Sequence, residues 1–326
     1  MAREVTVVQA IRETLGWLLE SDEGILVFGE DVGKPGGVFG VTRGLQERFG
    51  SDRVFDTPIS ESAIVGAATG AAMMGLRPIC EIMWIDFALL AMDQIINQAA
   101  KVRYMSESRL SVPIVIRTQQ GVTEGSSSQH SQSFEALFAH IPGLKVVIPS
   151  RPADFSSLLI AAAQDPDPVL FIEHRSLYGV KGELPDVMEP ANVGQAEVVR
   201  SGEDVTVISW GTGLHISLAA AQIADSSGLS VEVIDLRWLE PLDFASIAAS
   251  VEKTGRAVVV HEAVLKGGFG AEVAARIAEE CFWELDAPVR RVGAAFVPMP
   301  HAPVLQDAIL PNARHLAQVL ARTVQV

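Results

Sequence analysis

The stretch Arg53-Val54-Phe55-Asp56-Thr57-Pro58-Ile59-Ser60-Glu61, with the run from Ser62 to Gly75 behind it, decides how this chain is read. It predicts a short strand, a proline turn and a helix. Pro58 biases Thr57 away from helical angles, and Ser60 stands where an N-cap belongs. The segment Ala63-Ile64-Val65-Gly66-Ala67-Ala68-Thr69-Gly70-Ala71-Ala72 leaves one helix face almost without side-chain bulk, open to close approach. Glu61 falls at the mouth of this helix among apolar Ile59, Ala63 and Ile64, where a carboxylate is poorly hydrated. Two readings stand side by side: an acid/base group, or a first-turn glutamate favoured by the helix dipole.

Working outward, the rest of the chain alternates in the same way. Apolar Val7, Ala10, Ile11, Leu15 and Leu18 recur at three and four and predict an amphipathic helix from Thr6 to Leu19. Strands are expected at Ile25-Leu26-Val27-Phe28, Ile79 to Trp84, Pro113 to Arg117, Lys145 to Ile148 and Val169 to Ile172. Helices are expected over Leu89 to Arg103 and Asp154 to Gln164. Periodicity is lost between about His174 and Asp204. It then resumes with strands at Val205 to Ile208, Val231 to Ile234, Ala257 to Val260 and Val289 to Val292. Helices there are expected near Ile216 to Ala224, Phe244 to Glu252, Ala271 to Glu284 and Ala313 to Arg322. Strands alternating with helices imply parallel sheets covered on both faces. The expectation is therefore an α/β chain of two doubly wound parallel-sheet domains, over 1–175 and 204–326, joined by a linker over 176–203.

Two glycine-rich stretches invite a nucleotide reading. Gly33 to Gly40 lacks the Gly-Lys-Ser/Thr ending of a phosphate-binding loop and is either a mobile connection or a site-lining loop. Gly267-Gly268-Phe269-Gly270 lacks the full dinucleotide pattern and is read as a tight turn into a packed helix. From Thr118 to about Ser131 no hydrophobic period exists, and loops of that length in a compact domain are often functional. It closes on His130, a residue type suited to proton exchange near neutrality.

Composition narrows the function classes. A chain of 326 residues is long for one core and comfortable for two. Its net charge of −15 argues against nucleic acid, which needs a basic footprint. No uncharged apolar run approaches the roughly 18 residues of a bilayer span, and Met1-Ala2-Arg3-Glu4 does not begin a signal peptide, so a cytoplasmic protein without membrane contact is expected. Cys80 and Cys281, the only two cysteines, suggest reduced packing residues.

Asp56-Thr57-Pro58-Ile59-Ser60-Glu61 is followed by Gly75-Leu76-Arg77-Pro78, by Asp93-Gln94-Ile95-Ile96-Asn97-Gln98-Ala99-Ala100-Lys101 and by Gln129-His130-Ser131-Gln132-Ser133. With His140-Ile141-Pro142-Gly143-Leu144-Lys145 and Glu232-Val233-Ile234-Asp235-Leu236-Arg237, these strings resemble the β subunit of thiamine-diphosphate-dependent 2-oxo acid dehydrogenases. That family comprises the decarboxylating components of pyruvate, branched-chain and acetoin dehydrogenase complexes, with a transketolase-like pyrimidine-binding domain and a transketolase C-terminal-like domain. The resemblance makes Glu61 the carboxyl group at the aminopyrimidine N1′, which favours the imino tautomer that accepts the C2 proton. It assigns the aminopyrimidine pocket to Ile59, Met83 and Phe87, with Phe87 stacking on the ring; plain core packing is the other reading. It makes His130 the active-site histidine near acyl transfer to the lipoyl group, and it maps a structural potassium site onto Ile114, Ala162, Ala163, Asp165 and Asp167. Asp165-Pro166-Asp167 would serve equally as a turn.

No Gly-Asp-Gly occurs in the chain, so the magnesium ion and the diphosphate half-site are expected from a separate α subunit, in a heterotetramer of two α and two β chains. The resemblance also implies docking of a dihydrolipoyl acyltransferase on the C-terminal domain. Glu272, Glu279, Glu280 and Glu284 are candidate acids there, although a charged helix face is also simply a solvated one. Met83 stands where branched-chain members tend to carry Gln, which leans toward the acetoin and pyruvate types. A non-catalytic assembly subunit that has kept the fold and lost the cofactor is the alternative.

Overall fold

A computed structural model describes residues 2–325, which divide into two compact units. The first comprises 2–120 and 137–193, and the second 121–136 and 194–325. The loop that closes on His130 thus belongs with the second unit.

The first unit opens with β1 (Arg3–Thr6) and α1 (Val7–Ser21). Thr6 caps α1 in a reciprocal box: its Oγ1 accepts from Gln9 N–H at 3.3 Å, and Gln9 Oε1 accepts from Thr6 N–H at 2.8 Å. There follow β2 (Ile25–Gly29), α2 (Leu45–Phe49), β3 (Val54–Asp56), α3 (Glu61–Met73), β4 (Arg77–Ile82) and α4 (Ile85–Ala88). α5 (Ala100–Met105), β5 (Val115–Gln120), α6 (Glu135–Ala139, whose first two residues fall in the second unit), β6 (Lys145–Val147), α7 (Pro152–Gln164), β7 (Val169–His174) and β8 (Lys181–Leu184) come next.

Within this unit six parallel strands run in the order β6-β7-β5-β4-β2-β3, while β1 and β8 pair antiparallel apart from them. Strand addition goes from β2 to β3 in one direction and from β4 onward in the other. The order therefore reverses at β2, and ligands of open parallel sheets bind beyond the carboxyl ends at such a point.

The expected helix over Leu89 to Arg103 is broken into a 3-10 turn (Leu89–Ala91), a π-helical segment (Gln94–Ala99) and α5. A Cβ built on Gly66 of α3 would lie 3.2 Å from Gln94 Oε1, so the glycine lets the widened turn come close. Gly70, on the same small-residue stripe, faces open space. Ser60 does occupy the N-cap position of α3, but its side chain makes no capping bond.

The second unit contains β9 (Glu197–Arg200), β10 (Val205–Ser209), α8 (Thr212–Asp225), β11 (Val231–Asp235), β12 (Trp238–Glu240), α9 (Phe244–Thr254) and β13 (Ala257–Val264). It ends with α10 (Gly270–Glu280), β14 (Arg290–Ala294), α11 (Pro303–Ile309) and α12 (Ala313–Thr323). Its sheet has the order β14-β13-β10-β11-β9, parallel except for the antiparallel edge strand β9. Val205, Val207, Val231, Val233, Val258 and Val260 bury one sheet face against α8 and α12.

The expected interdomain stretch 176–203 contains two short strands, β8 and β9, each at an edge and therefore without the apolar run of a central strand. The second glycine cluster is a tight turn into α10. A Cβ on Gly268 would sit 2.7 Å from His261 Cε1, and one on Gly270 2.5 Å from His261 Cδ2, so the buried imidazole demands both glycines. Among the described residues no helix is long and apolar enough to cross a membrane.

Candidate active site

The carboxyl ends of β2, β3 and β4 carry the residues singled out from the sequence. β3 ends on Asp56, whose Oδ1 accepts from Gly33 N–H at 2.6 Å and whose Oδ2 accepts from Lys34 N–H at 3.2 Å. This ties the glycine-rich loop to the strand that leads into the helix of Glu61. The loop is held at its other end too: Gly37 N–H donates to Asp31 O at 2.8 Å, and Thr42 Oγ1 donates to Val32 O at 2.6 Å. Phe39 packs edge to face on Trp84 and Tyr178, with centroids 6.1 and 5.9 Å apart. It is a fixed wall.

Thr57 N–H donates to Gly29 O at 2.9 Å and brings the proline turn back onto β2. Glu61 then opens α3 with only 9 % of its surface exposed. Its carboxylate forms no hydrogen bond or ion pair among the described residues. It does act electrostatically on Glu30, at the end of β2, whose carboxyl is raised above its ordinary range by burial, by Asp31 and by Glu61. A covered carboxylate without a donor is costly unless a ligand supplies one.

Ile59 is 73 % exposed, and Met83 and Phe87 are half-buried, so none of the three is a core residue. All sit on the same sheet edge: Ile59 in the turn before α3, Met83 just beyond β4, and Phe87 in α4. The residues that fit an aromatic ring with a nitrogen acceptor are thus an exposed aliphatic, a thioether, an aromatic face and an unpaired carboxyl group. Such a set offers apolar and aromatic surface beside one group that can share a proton with a ring nitrogen.

Beneath the site lies a group of charges that the sequence reading missed. Arg117, 1 % exposed in the middle of β5, donates from Nη1 to Glu81 Oε2 and from Nε to Glu173 Oε1, each at 2.7 Å. Tyr178 Oη donates to the other oxygen of Glu173. Burial pushes Glu173 up while Arg117 pulls it down, and the net is a carboxyl above its ordinary range. The signal was present, because a charge inside each of three strands buried on both faces must find partners there. Gln119, two residues along β5, is also buried, and its Oε1 has no partner among the described residues.

The potassium set gathers at the opposite, amino edge of β5 and β7. Lys145 Nζ donates to Asp165 at 2.6 and 2.7 Å and to Asp167 at 3.1 Å, and Arg103 Nη1 donates to Asp167 at 2.8 Å. The carbonyls of Ile114, Ala162 and Ala163 accept from Val169 N–H at 2.9 Å, Asp165 N–H at 3.3 Å and Arg77 Nη1 at 3.1 Å. Both carboxylates already face cations, and each of the three carbonyls accepts one hydrogen bond and keeps a second lone pair. Among the described residues no group of three or more His, Cys, Asp or Glu is placed to hold a metal.

In the second unit the loop after β5 is pinned by Glu262, whose Oε1 accepts from Val122 N–H at 2.7 Å and Oε2 from Thr212 Oγ1 at 3.2 Å. His130 is half-buried there, between Gln129 and Ser131. Both neighbours line a cavity of about 660 Å³, together with Glu262, Val264, Phe296 and Met299.

The model of the transketolase pyrimidine-binding domain matches residues 3–181, and that of the transketolase C-terminal domain matches residues 194–316. Over its whole length the chain is 43 % identical to the acetoin:2,6-dichlorophenolindophenol oxidoreductase subunit beta of Cupriavidus necator, 99 % of which is covered. It is 45 % identical to the 2-oxoisovalerate dehydrogenase subunit beta of Bacillus subtilis, over 94 % of this chain and 95 % of that one. Against the pyruvate dehydrogenase E1 component subunit beta of Staphylococcus epidermidis it is 44 % identical, over 99 % of both chains. A split-gene transketolase solved as an inactive beta4 tetramer superposes with a TM-score of 0.80 at 23 % identity over 98 % of each chain, a likeness of fold.

Proposed function

The chain belongs to the transketolase-like family of β subunits of 2-oxo acid and acetoin dehydrogenases, and on that premise we propose that it supplies the aminopyrimidine half of a thiamine diphosphate site completed by a separate α subunit. The observation that carries this reading is Glu61: a nearly covered carboxylate at the head of α3, on the edge where strand order reverses, without a donor of its own. Thiamine diphosphate supplies a thiazolium carbon that becomes a nucleophile on losing its proton.

Glu61 shares a proton with the ring nitrogen N1′, so that the amino group across the ring can act as base. Phe87 would stack on the ring, and Ile59 and Met83 would line its pocket. Asp56 and Phe39 fix the loop that walls the pocket and keeps water from it. His130 exchanges a proton where the acyl group passes to a lipoyl-lysine. The α subunit contributes magnesium and the diphosphate contacts in a complex of two α and two β chains. A potassium ion would be held by Ile114, Ala162, Ala163, Asp165 and Asp167, with Lys145 and Arg103 also engaging the two carboxylates. A dihydrolipoyl acyltransferase docks on the second unit, where Glu272, Glu279 and Glu284 are exposed and Glu280 is engaged by Arg276 at 2.8 Å.

Reconstitution with the α subunit tests the proposal. The pair should bind thiamine diphosphate tightly and turn over at least one of pyruvate, 3-methyl-2-oxobutanoate and acetoin, whereas this chain alone should bind the cofactor weakly. Tight binding by the isolated chain, or turnover of none of the three by the loaded pair, would contradict it.

A further inference from the structure

Arg175 follows β7 at the carboxyl edge of the sheet in the first unit. Its guanidinium carbon lies 4.0 Å from the ring centroid of Phe39 and 4.9 Å from that of Trp84. Those rings meet edge to face. A guanidinium lying against two aromatic rings keeps its plane fixed and presents its N–H groups edge-on.

Those N–H groups meet no acceptor among the described residues. The contrast with the other enclosed arginines of this unit is direct. Arg117 has Glu81 and Glu173, Arg151 has Asp154, Arg103 has Asp167, and Arg53 donates to the carbonyls of Leu19, Asp22 and Ile25. Arg175 is part-buried, and burial lowers its pKa with only Tyr178 acting against the shift. A half-desolvated cation without a counter-ion is unfavourable by itself and becomes favourable when an anion enters.

The surroundings of Arg175 favour an anion at this edge. Trp84 adjoins Met83 and precedes the helix of Phe87, so the free fork of Arg175 neighbours the ring-binding wall. Glu30 and Glu61 on the same edge would repel an anionic substrate unless a cation opposed them.

We propose that Arg175 binds the carboxylate of the substrate, so that the site selects anionic 2-oxo acids over neutral acetoin. The inference rests on the reading of the chain as a dehydrogenase β subunit and deepens it by naming the substrate class. A planar guanidinium fork matches a carboxylate with two parallel hydrogen bonds. Acetoin offers a ketone and a hydroxyl but no charge. Because the carboxylate departs as carbon dioxide, the contact stabilises bound substrate and is gone afterwards. Its loss therefore belongs in KM and not in kcat.

The test uses the reconstituted complex with its α subunit, carrying either R175Q or R175K. For R175Q, KM for pyruvate and for 3-methyl-2-oxobutanoate should rise about 10- to 100-fold, as expected for charge-assisted hydrogen bonds, with kcat and the acetoin KM held within about twofold. R175K keeps the charge without the fork and should fall between. Equal losses on acetoin and the 2-oxo acids, an unchanged KM, wild-type turnover of acetoin alone, or weakened thiamine diphosphate binding in R175Q would each overturn it, the last by giving the anion to the cofactor.

A turnover-independent arm separates this inference from the functional reading. Acetate, and not acetamide, should change the tryptophan fluorescence of the wild-type complex through Trp84, and R175Q should abolish the change. A response to acetate in a complex that turns over none of the three substrates would sink the dehydrogenase reading and leave Arg175 an anion site. No response in the wild type would overturn the anion site itself.

Discussion

Asp56 Oδ1 accepts the N–H of Gly33 at 2.6 Å, which joins the last residue of β3 to the first glycine of the loop after β2. A Cβ on Gly33 would lie 2.6 Å from Gln46 Nε2 and 2.9 Å from Asp56 Oδ2, so a side chain there would have to displace both groups. Asp56→Ala removes the acceptor from two backbone donors. We expect a loss of about 1–3 kcal/mol in urea unfolding and new proteolytic cleavage between Gly33 and Gly40. Unaltered protease resistance would show that the remaining contacts of Phe39, Gly37 and Thr42 suffice to hold the loop.

Glu61→Gln should leave the fold intact and abolish turnover. The amide still reaches the aminopyrimidine nitrogen but cannot share its proton, and such acid–base contributions are worth about 10² to 10⁴ in rate. Hydrogen–deuterium exchange at the cofactor C2 in the α/β complex should slow by a similar factor. Near-normal exchange would remove Glu61 from its assigned role.

Arg117→Met should be severely destabilising, by about 3–5 kcal/mol, because it leaves Glu81 and Glu173 as uncompensated carboxylates in the interior. Adding Glu81→Gln and Glu173→Gln should recover much of that loss, since a neutral trio needs no buried cation. A triple variant no more stable in denaturant than the single one would show that shape, not charge, is what Arg117 provides.

His261 is buried against Trp210, with ring centroids 5.4 Å apart, and burial pushes its pKa down from 6.5 to about 4. Its Nδ1 lies 3.1 Å from Ala263 O, and Nε2 has no partner among the described residues, so the neutral ring is the one that fits. The folded state therefore binds the proton less well than the unfolded chain. The stability it confers is complete above pH 6.5 and is lost as pH falls toward 4, by roughly 3 kcal/mol in all. His261→Phe should flatten the urea midpoint across that window. If the slope persists in the variant, another group titrates there.

The alternation of apolar strands and amphipathic helices was legible because a two-layer α/β fold imposes both periods on the chain. From that pattern alone come the two sheets, most of their strands and the helix headed by Glu61. The quoted strings, read as a family resemblance, added the site at the carboxyl edge. What did not show was whatever depends on partners far apart in sequence. Arg117, Glu81 and Glu173 come from three strands, and only their parallel register brings them within 2.7 Å. The break in the helix over Leu89 to Arg103 lies where α3 packs with Gly66 close to Gln94, a contact between segments far apart in sequence. Arg175 reads in the sequence as one more loop cation. Only the tertiary structure sets it against Phe39 and Trp84 without an acceptor, because a side chain's electrostatic surroundings are fixed by packing and not by its neighbours in the chain.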